Sequence, residues 1–347
     1  MRFPQEVLRN IVLIAVWAAS GLAGPVSAQQ CESLFDNRNI SLVVPYSAGG
    51  GYDNYARVFA PVLESSIGAK VRIRNLPGAG AMIGINAVAN ARSSELIIGL
   101  FSPTILHNEK IYGRSAPDIS SFEPLGSFYS DSTVWATRDE VNVDFNDAEG
   151  RFFAVASNSD FNRILLPGFA LDWNIHLVRG YAGSTDQVFA LLRRDVDYIY
   201  SSSVSMANYI ESTEGINVFI SVSDGPNSIF PDVPYLAGTG GVVEQLTNDL
   251  PAEQQRERII LARLSSELGK TYRAVMISSN ADSEQVVCLR NAVEGAMFSE
   301  EFRQRAIAQH LLVEPLSGSA LGSVIAETDS LIEDNWRLLQ KYMEKSQ

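Results

Sequence analysis

The sequence predicts an α/β protein in which parallel-dominated sheets are flanked by helices. Two observations carry that class. From residue 41 onward, apolar runs of strand length alternate with segments of helical length, the pattern of crossover units. Five of these runs end in loops built from glycine, serine, tyrosine or threonine, and in open parallel sheets ligands bind outside the carboxyl ends of the strands. At 347 residues, 46% hydrophobic and 19% charged, the chain is long enough for two domains with substantial cores.

The N-terminus stands apart from that fold. Arg2 and Arg9 precede an apolar run over 11–19, and Val26-Ser27-Ala28 places small residues where a signal peptidase reads, so 1–28 is expected to be a secretory signal peptide. A retained anchor is the alternative, but Ser20, Gly21 and Pro25 leave the run short of a membrane span. Cys31 follows Gln29-Gln30 instead of the small residue that a lipoprotein signal sets before its cysteine. Export places Cys31 and Cys288 where thiols oxidise. One disulfide is expected, bringing the mature N-terminus beside a C-terminal helix, with two separate thiols as the alternative. The net charge of −13 becomes −14 once Arg2, Arg9 and Glu6 leave with the signal, which argues against nucleic acid and anionic membrane surfaces as partners. Local capture of an anion stays open, because N–H groups at helix starts act at contact range.

Residues 41–46 read as a strand that runs into Gly49-Gly50-Gly51 and a helix over 53–67, closed by Gly68 where left-handed backbone is wanted. Pro61 is expected to kink or restart that helix. A second strand spans 71–75, followed by "LPGAGAMIG" and a helix over 83–92. The continuous apolar run 96–101 reads as a third strand, buried on both faces. The middle repeats the alternation, with strands at 152–157, 176–181, 197–201 and 218–222 and helices at 161–171, 185–194 and 206–210. A charged segment over 241–270 reads as a surface helix. The tail is helical around one strand at 272–278, with one long helix over 283–310 and another over 320–343. No repeat or low-complexity tract interrupts this order.

Catalytic chemistry finds few candidates. His107, His176 and His310 are the only histidines, none near a cysteine, and neither H-E-x-x-H nor G-x-S-x-G occurs. Cys31 and Cys288 lack metal spacing, and Asp195 and Asp197 lack the glycine and glutamate of a calcium loop. Asn54 stands where a dinucleotide fingerprint needs its third glycine after Gly49 and Gly51, and no G-K-[ST] follows either glycine loop. What remains is shared placement. Loops holding Tyr46, Ser47, Ala48, Gly49 and Gly50, then Gly78, Ala79 and Gly80, then Ser102, then Ser157 and Asn158, then Tyr181, Gly183 and Ser184 all follow predicted strands. Parallel strands would bring them to common edges, offering N–H and O–H donors suited to a carboxylate.

The stretch "VVPYSAGGGYDNYAR…LESSIGAKVRIRNLPGAGAMIG" resembles the Bug-type solute-binding receptors of tripartite tricarboxylate transporters, in both the order of its two glycine loops and the spacing between them. Weaker likeness continues through Tyr181-Ala182-Gly183-Ser184, "DVDYIYSS" and "PDVPYLAG". The resemblance implies a two-lobed type II periplasmic binding protein fold with two hinge crossings, its lobes at 39–134 with 235–347 and at 135–234. It implies a small carboxylate enclosed between Tyr46, Ala48, Gly49, Asp53, Gly78, Ala79 and Gly80 on one side and Ser157, Tyr181 and Gly183 on the other, with Asp53 as a cap or brace. Arg163 and Arg179 are candidate counter-charges. Membrane permease subunits are the implied protein partner, the receptor itself being a monomer without cofactor, metal or turnover. A sensor partner or an exported enzyme on the same scaffold are the alternatives. The chain departs from the family pattern at Ala81, at Met82, at the glycine-free "ASNSDFN", at "ISSNADSEQ" and at Ser201, where aspartate is frequent; Ser201 completes the expected ligand set.

Overall fold

The computed structural model describes residues 28–35, 38–147, 150–155, 161–181 and 184–345; the expected signal peptide lies outside them except for Ala28. The chain opens with α1 (Ala28–Phe35), then β1 (Asn39–Val44), α2 (Gly51–Ile67), β2 (Lys70–Asn75), α3 (Met82–Ala89), β3 (Ile97–Phe101) and α4 (Thr104–Ile111). Two strands that the sequence did not announce follow, β4 (Phe122–Asp131) and β5 (Thr133–Arg138). Then come β6 (Arg151–Val155), α5 (Leu166–Leu171), β7 (Ile175–Arg179), α6 (Ser184–Leu192), β8 (Ile199–Ser202), α7 (Ser203–Ser212) and β9 (Ile216–Val222). The last part holds α8 (Val242–Thr247), α9 (Ala252–Gly269), β10 (Thr271–Ser278), α10 (Ser283–Met297), α11 (Glu300–Ile307), β11 (Leu316–Ser317), α12 (Gly318–Asp334) and α13 (Trp336–Lys345). No helix among the described residues is long and apolar enough to cross a membrane.

Six strands form one mixed sheet in the order β11-β4-β10-β3-β1-β2. β1 pairs in parallel with β2 and β3, as the crossover pattern requires, whereas β10 runs antiparallel to both β3 and β4. The sheet is covered on both faces: Leu42, Val44, Ile98, Val275 and Ile277 meet α2 and α10 on one side, while Val43, Phe101, Ala274 and Met276 meet α3 and α12 on the other. Burial on both faces explains the unbroken apolar reading of β3. α2 runs through Pro61 without interruption. The carbonyl that loses its partner belongs to Arg57, an exposed residue. The long helix expected over 283–310 breaks at Phe298, where the Ser299 hydroxyl accepts from Phe302 N at 3.1 Å and starts α11.

A second core is built on β8-β5-β9, paired antiparallel, and on the parallel pair β6-β7, joined to it by a parallel bridge between Phe153 and Tyr198. Trp135, fully enclosed, lies among Phe153, Trp173 and Phe219. The charged helix α9 is not a surface element: Leu261, Ala262, Leu264 and Leu268 share one face and are buried in this core, a stripe of helical period hidden between charges in the sequence. Leu236, Ala237, Val242 and Val243 belong to the same core, so the chain stays there beyond the expected return at 234/235 and rejoins the six-stranded sheet at Thr271. The two connections, at Ser132 and Lys270, lie side by side. Thr271 pairs with Asp131, and the Thr133 hydroxyl donates to Gly269 O at 3.0 Å. α12 spans both cores, with Leu321 in the first and Ile332 in the second. Cys31 and Cys288 form a disulfide, their Cα atoms 5.3 Å apart, which ties α1 to α10.

Candidate functional site

Because β1, β2 and β3 are parallel, the loops that leave their carboxyl ends share one edge of the sheet. The first loop is held from below. Asp53, fully buried in the first turn of α2, accepts from Gly49 N at 2.7 Å and Arg57 Nε at 2.7 Å on one oxygen and from Asn75 Nδ2 at 3.0 Å on the other. Asn75, the last residue of β2, also donates to Tyr46 O at 3.1 Å, so one carboxylate and one amide lock the first two strand ends together. Burial alone would push the Asp53 carboxyl up, but the bonds from Arg57, Gly49 and Asn75 outweigh it and hold the group below its ordinary value. Asp53 is therefore a brace, and it occupies the Gly49 amide. Ser47, Ala48 and Gly50 remain exposed at the rim, beside the first-turn amides of α2, which have no intrahelical acceptor.

The second loop has an unusual backbone. Gly78, Ala79, Gly80 and Ala81 carry φ values of +121°, +47°, +63° and +80°. Left-handed backbone at an alanine costs about 1–2 kcal/mol, so two of these four positions store strain at the rim. The loop is fixed by α3, whose Gly84 passes so close that an added Cβ would lie 2.7 Å from Pro45 Cβ, 2.8 Å from Pro45 Cα and 2.9 Å from Leu76 O. Gly78, Ala79 and Gly80 are exposed. At the third strand end, Ser102 is buried: its oxygen accepts from Tyr272 N at 3.0 Å and lies 2.7 Å from Thr104 Oγ1, which donates to Lys270 O at 2.9 Å. This corrects the expectation of an open donor at Ser102, whose hydroxyl fastens α4 to the second connection between the cores.

Tyr46 leaves the first loop and stacks on Tyr52, the rings 4.3 Å apart, while the Tyr52 hydroxyl donates to Tyr272 O at 2.9 Å. Tyr46 is partly exposed as a residue, but its phenol end is enclosed. Burial raises that phenol well above its ordinary value, Tyr52 adds to the rise, and Arg273 and Arg163 oppose it. Arg163 comes from the second core and donates from Nη2 to Thr271 Oγ1 at 2.7 Å. Its neighbours make the same crossing: Phe161 N donates to the Tyr112 hydroxyl at 3.1 Å, and Asn162 Nδ2 to Asn108 Oδ1 at 3.1 Å. Residues 161–163 thus lie against the α4 region and β10, and the Arg163 charge reaches Tyr46.

On the second core, the parallel pairing of β6 with β7 and the bridge to Tyr198 set three strand ends along one edge. Ser157, Asn158 and Gly183 lie outside the described residues, as does the side chain of Ser184, which opens α6. Tyr181 is partly buried against the core of Val188 and Leu191. Arg179 ends β7. Ser201 is buried in β8 opposite Val134, one residue before Ser202, whose hydroxyl caps α7. The sequence reading passed over Tyr52, Asn75, Thr271 and Arg273. Only two carried a signal: Tyr52 directly follows the triple glycine, and Arg273 is the single charge in the strand "TYRAVMIS".

No protein-family model matches the chain. Protein BugT of Bordetella pertussis is 38% identical over 87 residues, 25% of this chain, so that match spans only 26% of BugT. A UPF0065 protein from the tcbD-tcbE intergenic region of Pseudomonas sp. strain P51 is 27% identical over 293 residues, covering 77% of this chain and 84% of its own. Among solved structures, a TctC solute-binding protein from Polaromonas superposes with a TM-score of 0.68 at 19% identity, over 88% of this chain and 99% of that one. MatC of Rhodopseudomonas palustris with bound malate gives 0.61 at 17% identity over 88% and 100%. A second R. palustris protein, with adipate, gives 0.63 at 18% over 89% and 98%. These solved structures give the chain the two-lobed type II periplasmic binding protein architecture, and the curated proteins it resembles in sequence are a Bug protein and a UPF0065 protein.

Proposed function

We propose that the protein is an exported receptor that captures a small carboxylate between its two lobes and delivers it to the permease subunits of a tripartite tricarboxylate-type transporter. One lobe is the six-stranded sheet with its helical layers; the other is the second core with α8 and α9. The reading rests above all on the braced rim: Asp53 and Asn75 hold two parallel strand ends together, leaving Ser47, Ala48, Gly78, Ala79 and Gly80 exposed beside a helix start. Amides at such a place suit a carboxylate. Tyr46 and Tyr181 would flank its carbon chain. Ser157, Asn158, Gly183 and Ser184 would complete the opposing wall. Structural neighbours that hold malate and adipate support the ligand class. Export through cleavage after Ala28 and a monomeric state belong to the same proposal.

Native mass spectrometry of freshly purified mature protein tests it, since a retained small acid is the expected result. A thermal-shift panel follows. At a hundred times its dissociation constant, the right acid stabilises by about 2.7 kcal/mol, or roughly 5–10 °C for a chain of this size. If no mono-, di- or tricarboxylate is retained and none moves the midpoint, the carboxylate reading is wrong.

A further inference from the structure

Arg273 is the one charge in β10, and it sits two residues past the connection at Thr271. Val275 and Ile277, the next residues on its face of the sheet, pack with α2, so Arg273 faces the first turns of that helix. Its guanidinium lies 4.5 Å from the ring centroid of Tyr52 and 5.9 Å from that of Tyr55. Both Nε and Nη1 are buried, and neither has a hydrogen-bond partner among the described residues. Arginine cannot shed its charge by losing a proton, and a buried, unpaired cation is strongly unfavourable. The tyrosine rings offer cation–π attraction from the face. They leave the in-plane N–H donors unused.

The carboxylate whose field reaches Arg273 is already engaged. Asp131 accepts from Ser203 N at 3.1 Å and from the Ser203 hydroxyl on one oxygen, and from Val204 N at 3.3 Å on the other, capping α7. Arg163 repeats the pattern from the other side of the seam. Its Nε is buried without a partner among the described residues, and its Nη2 holds Thr271, two residues from Arg273. Both guanidinium groups act on the phenol of Tyr46. Two cations therefore converge where the first loop ends, and neither has a carboxylate partner among the described residues.

We propose that Arg273, seconded by Arg163, reads a second acidic group on the ligand and makes the receptor selective for dicarboxylates over monocarboxylates of equal chain length. This rests on the receptor reading above: the loop amides take the first carboxylate and the Arg273 guanidinium, short of hydrogen-bond partners, takes the second as a charge-assisted donor. Arg273 is thus a specificity-determining residue that contacts the ligand.

Titration calorimetry with matched pairs, succinate against butyrate, glutarate against valerate and adipate against hexanoate, tests the assignment on the wild type, Arg273→Met and Arg273→Lys. The wild type should favour the diacid of the best pair by roughly 10- to 100-fold. Arg273→Met should cut that ratio at least about tenfold while leaving the monoacid within about threefold, as expected for loss of one charge-assisted contact. Arg273→Lys keeps a cation under Tyr52 but loses the planar fork, so its ratio should fall between the two. It also serves as the test if Arg273→Met does not fold. An unchanged ratio in either folded variant, or a wild type that binds both members of every pair equally, overturns the assignment alone. A wild type that binds no acid overturns the receptor reading and this assignment with it.

Discussion

Asp53→Asn keeps the shape of the brace under the first loop and removes one acceptor. With its remaining oxygen turned to Gly49 N and Arg57 Nε, the new amide nitrogen points at Asn75 Nδ2, donor against donor. One hydrogen bond is lost, worth about 1 kcal/mol; the Gly49 bond becomes neutral, and the Arg57 bond keeps its cation but loses the opposing charge, each weaker by up to about 1 kcal/mol. Half of Arg57 is in water, so its share is smaller. The sum is about 2–3 kcal/mol, or a midpoint lower by roughly 4–10 °C. The carboxyl value is depressed in the folded state, so this stability is fully present above the unfolded value near about pH 4 and disappears as the pH falls through the lower folded value. Thermal melts of wild type and variant from pH 7 down to pH 3 should show a gap that is largest at neutral pH and narrows below about pH 4. A gap under about 1 °C at pH 7, or one that persists undiminished in acid, would refute the brace.

Gly84→Ala should destabilise by about 1–3 kcal/mol and weaken carboxylate binding, because the added methyl meets the backbone of both rim loops; unchanged melts and unchanged calorimetry would contradict this. Replacing Cys31 and Cys288 by serine opens a loop closed across 257 residues. Urea titration should show a loss of about 2–4 kcal/mol, within the chain-entropy bound of roughly 5 kcal/mol. Ala79→Gly removes about 1–2 kcal/mol of left-handed strain at an exposed position against about 0.4–1 kcal/mol of unfolded-state entropy. Its melting point should rise slightly, while that of Ala79→Val should fall.

The first loop and its flanks were legible because they are local: an apolar strand, three glycines and a capped amphipathic helix write their own geometry into "VVPYSAGGGYDNYARVF". The disulfide was legible because only two cysteines exist to pair. β4 was hidden because "FEPLGSFYSD" carries a proline and a glycine that strands usually avoid, and they are tolerated here where its ladder with β10 shifts register. The return between cores was misplaced because the inner stripe of α9 is diluted by charges on its outer face. Ser102 was read as an open donor because nothing near it in the sequence reveals Tyr272 N, 170 residues away. Arg273 looked like an ordinary charge, since its setting is made by Tyr52, which meets β10 across 220 residues.

The adjacency of the two connections has a mechanical consequence. Asp131 and Thr271 are rungs of one ladder, Thr133 is bonded to Gly269, and Ser203 N donates to Ser132 O at 3.0 Å. Such a ribbon resists sliding and shearing but flexes across its width, like a piano hinge. In the proposed receptor the two lobes would differ by a single angle, with α12 as the strap that limits the swing, and a transport partner that senses only that angle would tell an occupied state from an empty one without touching the cargo.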